Sequence, residues 1–304
     1  MNIIKNRKIW FTGSISLTII SLLMIFLNPL KPAIDFSGGS LLEIKVNKQV
    51  AKDEISKIAT ESELENPQVT TSGQGSDTSQ FLIRSQAISQ DQKDKIIKNI
   101  NSEVGEGKAQ ELRFETIGPT ISADLVKKAI LSVILASLGI IFYIAYAFRK
   151  MPDKNLSWRF GVSAVVALIH DLTITVGLFA IFAKFYNWEV DSLFITGLLT
   201  VMGFSVHDTI VVFDRLRENI NNNIGQDFSE TVNSSVTQTI ARSINTSFTL
   251  IITMASLLLL GGTTLSAFVF VLLVGIIVGT YSSIFVASPL VVTWQNFTNR
   301  ALKN

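Results

Sequence analysis

Apolar stretches alternate with short basic loops along most of the chain. Crossing about 30 Å of hydrocarbon takes about 20 apolar residues in a helix, and six stretches approach or exceed this length. Core helices of a soluble protein would instead show a polar face at helical spacing. The pattern predicts six transmembrane spans, numbered one to six in chain order: Ile9–Leu27, Leu125–Phe148, Phe160–Phe182, Ser192–Phe213, Ile240–Leu260 and Leu265–Val292.

The first span follows a basic segment, Lys5 to Lys8, as the apolar core of a secretory signal peptide would. Its apolar run is longer than such a core, and no small-residue cleavage site follows it. We therefore expect an uncleaved signal anchor.

Basic residues in the short loops predict the orientation, because cytoplasmic loops are enriched in lysine and arginine. The loops after spans two and four carry several, including Arg149, Arg159, Arg215 and Arg217, whereas the loops after spans three and five hold Lys184 alone. Both termini are therefore expected in the cytoplasm. The predicted division is a cytoplasmic N-terminus with span one (1–28), an extracytoplasmic domain (29–124), and spans two to six (125–304).

The extracytoplasmic segment has the composition of a soluble domain. Residues 30–124 carry 11 Lys/Arg and 15 Asp/Glu, whereas the longer stretch 125–304 carries 12 and 9. The pattern predicts an α+β domain in the β-α-β-β-α-β order of a ferredoxin-like fold, with Ser89 capping the second helix. The predicted elements are strand Ile34–Val46, helix Val50–Leu64, strand Gln68–Thr71, a Ser/Gly/Thr-rich turn Thr71–Ser79, strand Phe81–Arg84, helix Ser89–Val104 and strand Gln110–Ile117.

Composition excludes several classes of function. The 304 residues include no cysteine and two histidines, so a disulfide framework, a thiolate metal site and a histidine-rich metal cage are excluded. The net charge of +2 offers no basic excess for nucleic acid. We expect no cofactor, no metal and no nucleic-acid partner.

Charged residues inside the spans are the main candidates for function. A charge near the bilayer centre is costly, so it normally faces the bundle interior and has a partner. Asp171 lies in span three after His170, Asp208 in span four after His207, and Arg242 opens span five. The two aspartates and the arginine are therefore candidate functional residues.

Span five carries a polar stripe that suggests a proton relay. Arg242, Asn245, Thr246, Thr249 and Thr253 share one helical face, and the depths of spans four and five allow Arg242 to pair with Asp208. Motion of the guanidinium would then switch the carboxylate between holding and releasing a proton. The predicted relay comprises Asp208, Arg242, Asp171, His207, Thr246 and Thr249. A static hydrogen-bonded clamp between helices is the alternative, above all for Asp171.

Other patterns are less specific. Neighbouring residues point about 100° apart on a helix, so a His-Asp dipeptide cannot chelate a metal, and neither H-E-x-x-H nor G-x-S-x-G occurs. An enzyme, including an intramembrane hydrolase, is therefore not expected. Asp35, Gly38 and Gly39 belong to a motif that opens the extracytoplasmic domain, where the glycines permit a turn with positive φ. Gly275-x-x-x-Gly279 predicts close helix packing.

Five segments together resemble the SecF family, the smaller membrane subunits of the SecDF complex in bacterial protein export. They are Asp35–Gly39, Ile117–Pro119, Ala167–Asp171, Gly203–Asn219 and Arg242–Ser247. The resemblance covers essentially the whole chain and includes the six spans and the single domain after span one.

The resemblance implies an all-α, six-helix half of an RND-type membrane domain in the bacterial inner (plasma) membrane. SecD on a separate chain would supply the other half, and SecYEG, SecA and unfolded preprotein would be further partners. Such a pair uses the proton-motive force, and Asp208 and Arg242 match the family's proton-path positions. His207 departs from the asparagine of many relatives. An RND-type exporter of small molecules or lipids and a non-transporting scaffold remain alternatives, and the coupling ion, proton or sodium, stays open.

Overall fold

The fold is described from a computed structural model covering residues 2–62, 64–65, 67–74, 78–105, 108–149 and 154–301. The chain divides into two compact units, one formed by residues 1–31 with 131–304 and the other by residues 32–130. The elements are α1 Arg7–Leu27, α2 Ile34–Ser37, β1 Gly39–Val46, α3 Lys52–Glu61, β2 Gln68–Gln74, β3 Ser79–Ser85, α4 Gln90–Val104, β4 Ala109–Ile117, α5 Pro119–Ala147, α6 Lys154–Tyr186, α7 Ser192–Asn221, α8 Phe228–Leu260, α9 Thr263–Ser282, a π-helix Ser283–Ala287 and α10 Ser288–Ala301.

Six helical spans in the described residues are long and apolar enough to cross a membrane. They coincide with the six predicted spans, but two helices extend well past the apolar stretch. Helix α7 continues beyond Phe213, and α8 begins before Ile240. The Asp227 side chain accepts a hydrogen bond from the Glu230 N–H at 2.7 Å, and this N-cap starts α8 in a polar region that a hydropathy argument leaves out.

The sixth span is not one regular helix. Predicted as a single helix over Leu265–Val292, it consists of α9, the π-helix and α10. A π-helix inserts a residue into the α-helical repeat and often lies at a functional site. Here it carries Ser283, whose side chain faces α7 through a 2.9 Å hydrogen bond to Thr209.

Helix α9 lies at the centre of the membrane bundle, in contact with α6, α7 and α8. Gly275 makes the close approach to α7 possible, because a Cβ at this position would lie 2.5 Å from Val201 Cγ1. The predicted close packing at Gly275-x-x-x-Gly279 is thus confirmed. We call the side of the bundle that holds the start of α1 and the α5–α6 and α7–α8 connections the basic side, after Arg149, Arg215 and Arg217.

The smaller unit is an antiparallel four-stranded sheet with strand order β2-β3-β1-β4. This order, with α3 after β1 and α4 after β3, is the predicted ferredoxin-like arrangement. Its core is formed by alternate residues of the central strands and by one face of each helix, including Leu42, Ile44, Phe81, Ile55 and Ile96.

Ser89 caps α4 as predicted. Its Oγ accepts a hydrogen bond from Gln92 N–H, and the Gln92 side chain accepts one from Ser89 N–H, which forms a capping box. Two details differ from the prediction. Ile34–Ser37 is a short helix instead of the start of a strand, and β2 continues to Gln74, into the predicted turn. The middle of that turn, residues 75–77, lies outside the described residues.

Candidate functional site: two carboxylates in a hydroxyl cluster

Asp171 is fully enclosed in the centre of the membrane bundle, with an exposed fraction of 0%. Its Oδ2 accepts hydrogen bonds from Ser205 of α7 and Ser282 of α9, both at 2.6 Å. Its Oδ1 lies 2.8 Å from Nδ1 of the preceding His170. One carboxylate therefore joins α6 to α7 and α9, as expected for a charged group placed inside a bundle.

Asp208 lies on α7, about one helical turn after Ser205, and is held more loosely than Asp171. Its exposed fraction is 8%, and its Oδ2 accepts hydrogen bonds from Thr280 at 3.2 Å and Ser247 at 3.4 Å. These two hydroxyls also bond each other at 2.6 Å. Asp208 therefore connects α7 to α8 and α9 through hydroxyl groups, and no ion pair to it occurs among the described residues.

The two carboxylates share helices α7 and α9. Ser205 and Asp208 are three residues apart on α7, and Thr280 and Ser282 are two apart on α9. Gly279 makes room for this arrangement, since a Cβ there would lie 3.2 Å from the Ser205 backbone. A shift of α9 relative to α7 would consequently alter the hydrogen bonds of both carboxylates.

Hydroxyl partners suit a carboxylate that changes its protonation state. A serine or threonine hydroxyl donates to an ionised carboxylate and can rotate to accept from a protonated one. The cluster can therefore bond Asp208 whether or not it holds a proton. Among the described residues, no group of three or more histidine, aspartate or glutamate side chains lies close enough together to bind a metal ion.

Arg242 does not pair with Asp208 in the described structure. The predicted stripe of Arg242, Asn245, Thr246, Thr249 and Thr253 is exposed in this chain. The Thr246 and Thr249 hydroxyls donate to backbone carbonyls of their own helix, at 2.9 and 2.7 Å. Ser243 and Ser247, on another face of α8, are the side chains that turn inward. Spacing correctly placed the stripe on one face, but that face is not the one packed against α7.

His207 is also exposed and makes no hydrogen bond to the cluster among the described contacts. It lines a groove of about 440 Å³ between α5 and α7, together with Tyr143, Gly139 and Gly203. His207 thus interacts electrostatically with the adjacent Asp208 without a described hydrogen bond to it, whereas His170 contacts Asp171 directly.

Sequence reasoning missed the hydroxyl partners on α8 and α9, namely Ser247, Thr280 and Ser282. Hydroxyl residues are common in membrane helices and usually bond their own backbone, so composition does not single these out. The usable signal was the pair Ser243 and Ser247, spaced i, i+4 on a different face of α8 from the polar stripe.

The motif after α1 forms a strained turn that requires glycine. Gly38 and Gly39 have φ angles of 72° and 114°, which side chains with a Cβ rarely adopt. A Cβ on Gly39 would also lie 2.5 Å from the Ser85 carbonyl oxygen. Asp35 lies in the first turn of α2, just before these glycines. The predicted positive-φ turn is confirmed.

Family models match two parts of the chain. Residues 96–297 match the model "Protein export membrane protein SecD/SecF, C-terminal", and residues 24–50, which contain the strained turn, match the "SecD/SecF GG Motif". The protein translocase subunit SecF of Thermobaculum terrenum is 40% identical, covering 97% of this chain and 94% of that protein. The chain belongs to the SecF family. The SecF of Anaerolinea thermophila is 38% identical over 97% of this chain and 94% of its own length.

Solved structures agree with the SecF assignment. The crystal structure of SecDF, a translocon-associated membrane protein from Thermus thermophilus, superimposes with a TM-score of 0.82 at 30% identity, covering 97% of this chain and 39% of that one. SecDF in its super-membrane-facing form gives 0.67 at 28% identity, covering all of this chain and 40% of that one. This SecF-family chain thus corresponds to about two fifths of each SecDF chain.

Proposed function

We propose that this chain is the SecF half of a proton-driven SecDF complex that assists Sec-dependent preprotein export across the bacterial inner (plasma) membrane. In this proposal SecD, on a separate chain, completes the RND-type membrane domain. SecYEG, SecA and unfolded preprotein are the further partners. The basic side of the bundle is cytoplasmic, so both termini lie in the cytoplasm and residues 29–124 lie outside.

The observation that carries the proposal is the burial of Asp208 and the kind of groups that hydrogen-bond it. It is a nearly buried carboxylate held by two hydroxyls and by no cation among the described residues. A carboxylate that is inside a membrane and lacks a permanent counter-charge is well suited to bind and release a proton. A purely structural clamp would favour the tighter contacts that surround Asp171.

The exposed stripe of α8 supports a partner bundle on this face. Arg242 and the polar residues beside it would be costly against lipid, so we place SecD here. Arg242 lies about 7.5 Å along the helix axis from Ser247, which donates a hydrogen bond to Asp208. A rotation of α8 that brings Arg242 inward would favour the ionised carboxylate and release its proton.

An RND-type exporter of small molecules or lipids fits less well. The extracytoplasmic unit between α1 and α5 is one small four-stranded domain, which offers little room for a substrate-binding channel. A scaffold role would make Asp208 a static contact.

The test is preprotein export into membrane vesicles that contain the SecD partner, with and without an imposed proton gradient. We expect the proton gradient to increase the export rate of the parent. Asp208→Asn should abolish this gradient-dependent increment and keep the gradient-independent rate, because asparagine keeps a hydrogen-bonding side chain but cannot ionise. Asp214→Asn, on the same helix beyond the apolar stretch, is the matched control and should retain the increment.

If Asp208→Asn and Asp214→Asn behave like the parent in both conditions at matched protein levels, the relay is refuted and the scaffold role replaces it. Loss of export in both conditions would also contradict the relay, because it would assign Asp208 to assembly.

A further inference from the structure

Helix α6 carries a row of buried polar side chains that the relay at Asp208 does not use. Arg159, Ser163 and His170 lie within about 40° of one another around the helix. Their exposed fractions are 9%, 0% and 8%. Arg159 Nη1, Ser163 Oγ and His170 Nε2 each lack a hydrogen-bond partner among the described residues. Three neighbouring orphaned groups on one helical face are unusual, because buried polar groups nearly always find a protein or water partner.

Helix α6 contacts α1, and on this face the contact is closest at Gly177. Gly177, seven residues after His170, lies on the same face, and a Cβ there would be 2.6 Å from the Ser21 Cα of α1. The buried side chains of α1 are Ser14 and Ser21, both polar. Trp10 Nε1 of α1 is likewise buried without a partner. The seam between α1 and α6 is therefore lined by polar groups on both helices.

His170 joins this seam to the carboxylate of Asp171. Its Nδ1 lies 2.8 Å from Asp171 Oδ1, whereas its Nε2 is the orphaned atom. The ring stacks on Tyr281 of α9 at 6.5 Å between centroids, and the Tyr281 hydroxyl bonds Ser14 Oγ at 3.0 Å. Asp171 and Tyr281 are the titratable groups in hydrogen-bond or ring contact with His170 in the described part of the chain.

We propose that the α1–α6 seam binds a file of water that connects the basic side of the bundle to His170, and that His170 passes protons to Asp171. This inference rests on the proposed function and adds a second protonation site with its own route. A proton arriving from water binds Nε2, and the Nδ1 proton moves to Asp171 Oδ1. A tautomer change then returns the proton of the His170 ring from Nε2 to Nδ1.

The geometry suits such a file. Arg159 lies about 16 Å along the axis from His170, with Ser163 between them, so the row extends from the basic end of α6 to the bundle centre. A buried water needs about two to four polar partners. The orphaned guanidinium, hydroxyl and imidazole atoms of α6, and the indole of α1, supply such partners.

Hydration of the seam can be tested without any transport assay, because the chain has no cysteine. A cysteine introduced at Ser163 or Ala164 is the only thiol of this chain, and both side chains are buried. Radiolysis of the purified SecDF complex generates hydroxyl radicals from bound water, and mass spectrometry reports oxidation of the thiol. We expect Ser163→Cys to be oxidised several-fold faster than Ala164→Cys, which faces the apolar cluster. Equal rates, whether both fast or both slow, would overturn the water file.

The role of His170 is tested by gradient-driven export with His170→Gln. Glutamine keeps one polar contact to Asp171 but cannot accept a proton on one atom and release another. We expect the gradient-dependent increment to be lost and the gradient-independent rate to be kept. If Asp208→Asn loses the increment while His170→Gln keeps it, this inference fails and the proposed function stands. If Asp208→Asn also keeps the gradient-dependent increment, the proposed function fails, and the oxidation experiment still decides whether the α1–α6 seam holds water.

Discussion

Truncation of Asp171 tests how tightly the enclosed carboxylate holds the bundle together. In Asp171→Ala, Ser205 Oγ and His170 Nδ1 lose their only described acceptor. Ser282 is less affected, because its hydroxyl also donates to the Gly279 carbonyl at 3.1 Å. An unsatisfied buried donor costs about 1–3 kcal/mol. Two such donors give an expected loss of about 2–6 kcal/mol in the free energy of unfolding.

Two matched variants separate this effect from loss of charge. In Asp171→Asn, the amide oxygen can accept from both serines, and the amide N–H can donate to His170 Nδ1 in its other tautomer. The expected loss is about 1 kcal/mol. Asp208→Ala should cost about as little, because Ser247 and Thr280 keep their mutual bond at 2.6 Å and Thr280 donates to Ile276 O at 2.8 Å.

The assay is unfolding of the purified protein in mixed micelles by increasing SDS, followed by tryptophan fluorescence. We expect the free energies of unfolding of Asp171→Asn and Asp208→Ala to be near that of the parent, and that of Asp171→Ala to be far lower. Equal loss in Asp171→Ala and Asp208→Ala would refute the reasoning from orphaned donors. A loss in Asp171→Asn as large as in Asp171→Ala would show that the charge, and not the hydrogen bonding, stabilises the bundle.

Three further predictions concern packing and local structure. Gly177→Ala should destabilise the α1–α6 contact by about 1–3 kcal/mol, whereas Gly139→Ala, with no atom within 4 Å of its Cβ, should be neutral or stabilising in the same SDS titration. Ser89→Ala should cost about 1 kcal/mol through loss of the α4 cap, measured by thermal unfolding. The pKa of Lys93 is raised, mainly by its hydrogen bond to Glu111. The contribution of Lys93 to stability is therefore complete below the unfolded pKa of about 10.4 and is lost as the pH rises through the pKa of the folded protein. The free energy of unfolding measured between about pH 9 and 12 should show this loss, and the pH dependence should disappear in Lys93→Met.

The fold could be predicted where one physical term dominates. The length of an apolar stretch identifies a membrane helix, which is why all six spans appear where they were expected. The ends could not be placed in the same way, because caps and polar helical turns decide them. The start of α8 depends on Asp227, outside the apolar stretch. No local sequence pattern indicates the π-helix, where Ser283 hydrogen-bonds Thr209 of α7.

The candidate site was predictable only in part. The cost of burying charge correctly indicated that Asp171 and Asp208 face the interior, and both are buried. The same argument does not say which partner satisfies a charge. Arg242 was expected to pair with Asp208, but helical spacing defines a face without defining its neighbour. Helix α8 is packed through Ser243 and Ser247, so the face that carries Arg242 is exposed in this chain.

Proton uptake by vesicles is the most direct measure of whether Asp208 carries protons. The SecDF complex would be reconstituted with a pH-sensitive dye inside, and a membrane potential would be imposed to draw protons inward. We expect proton uptake above the protein-free background in the parent and in Asp214→Asn, and uptake at the background level in Asp208→Asn. Equal uptake by the parent and Asp208→Asn would contradict a proton-carrying role for this carboxylate.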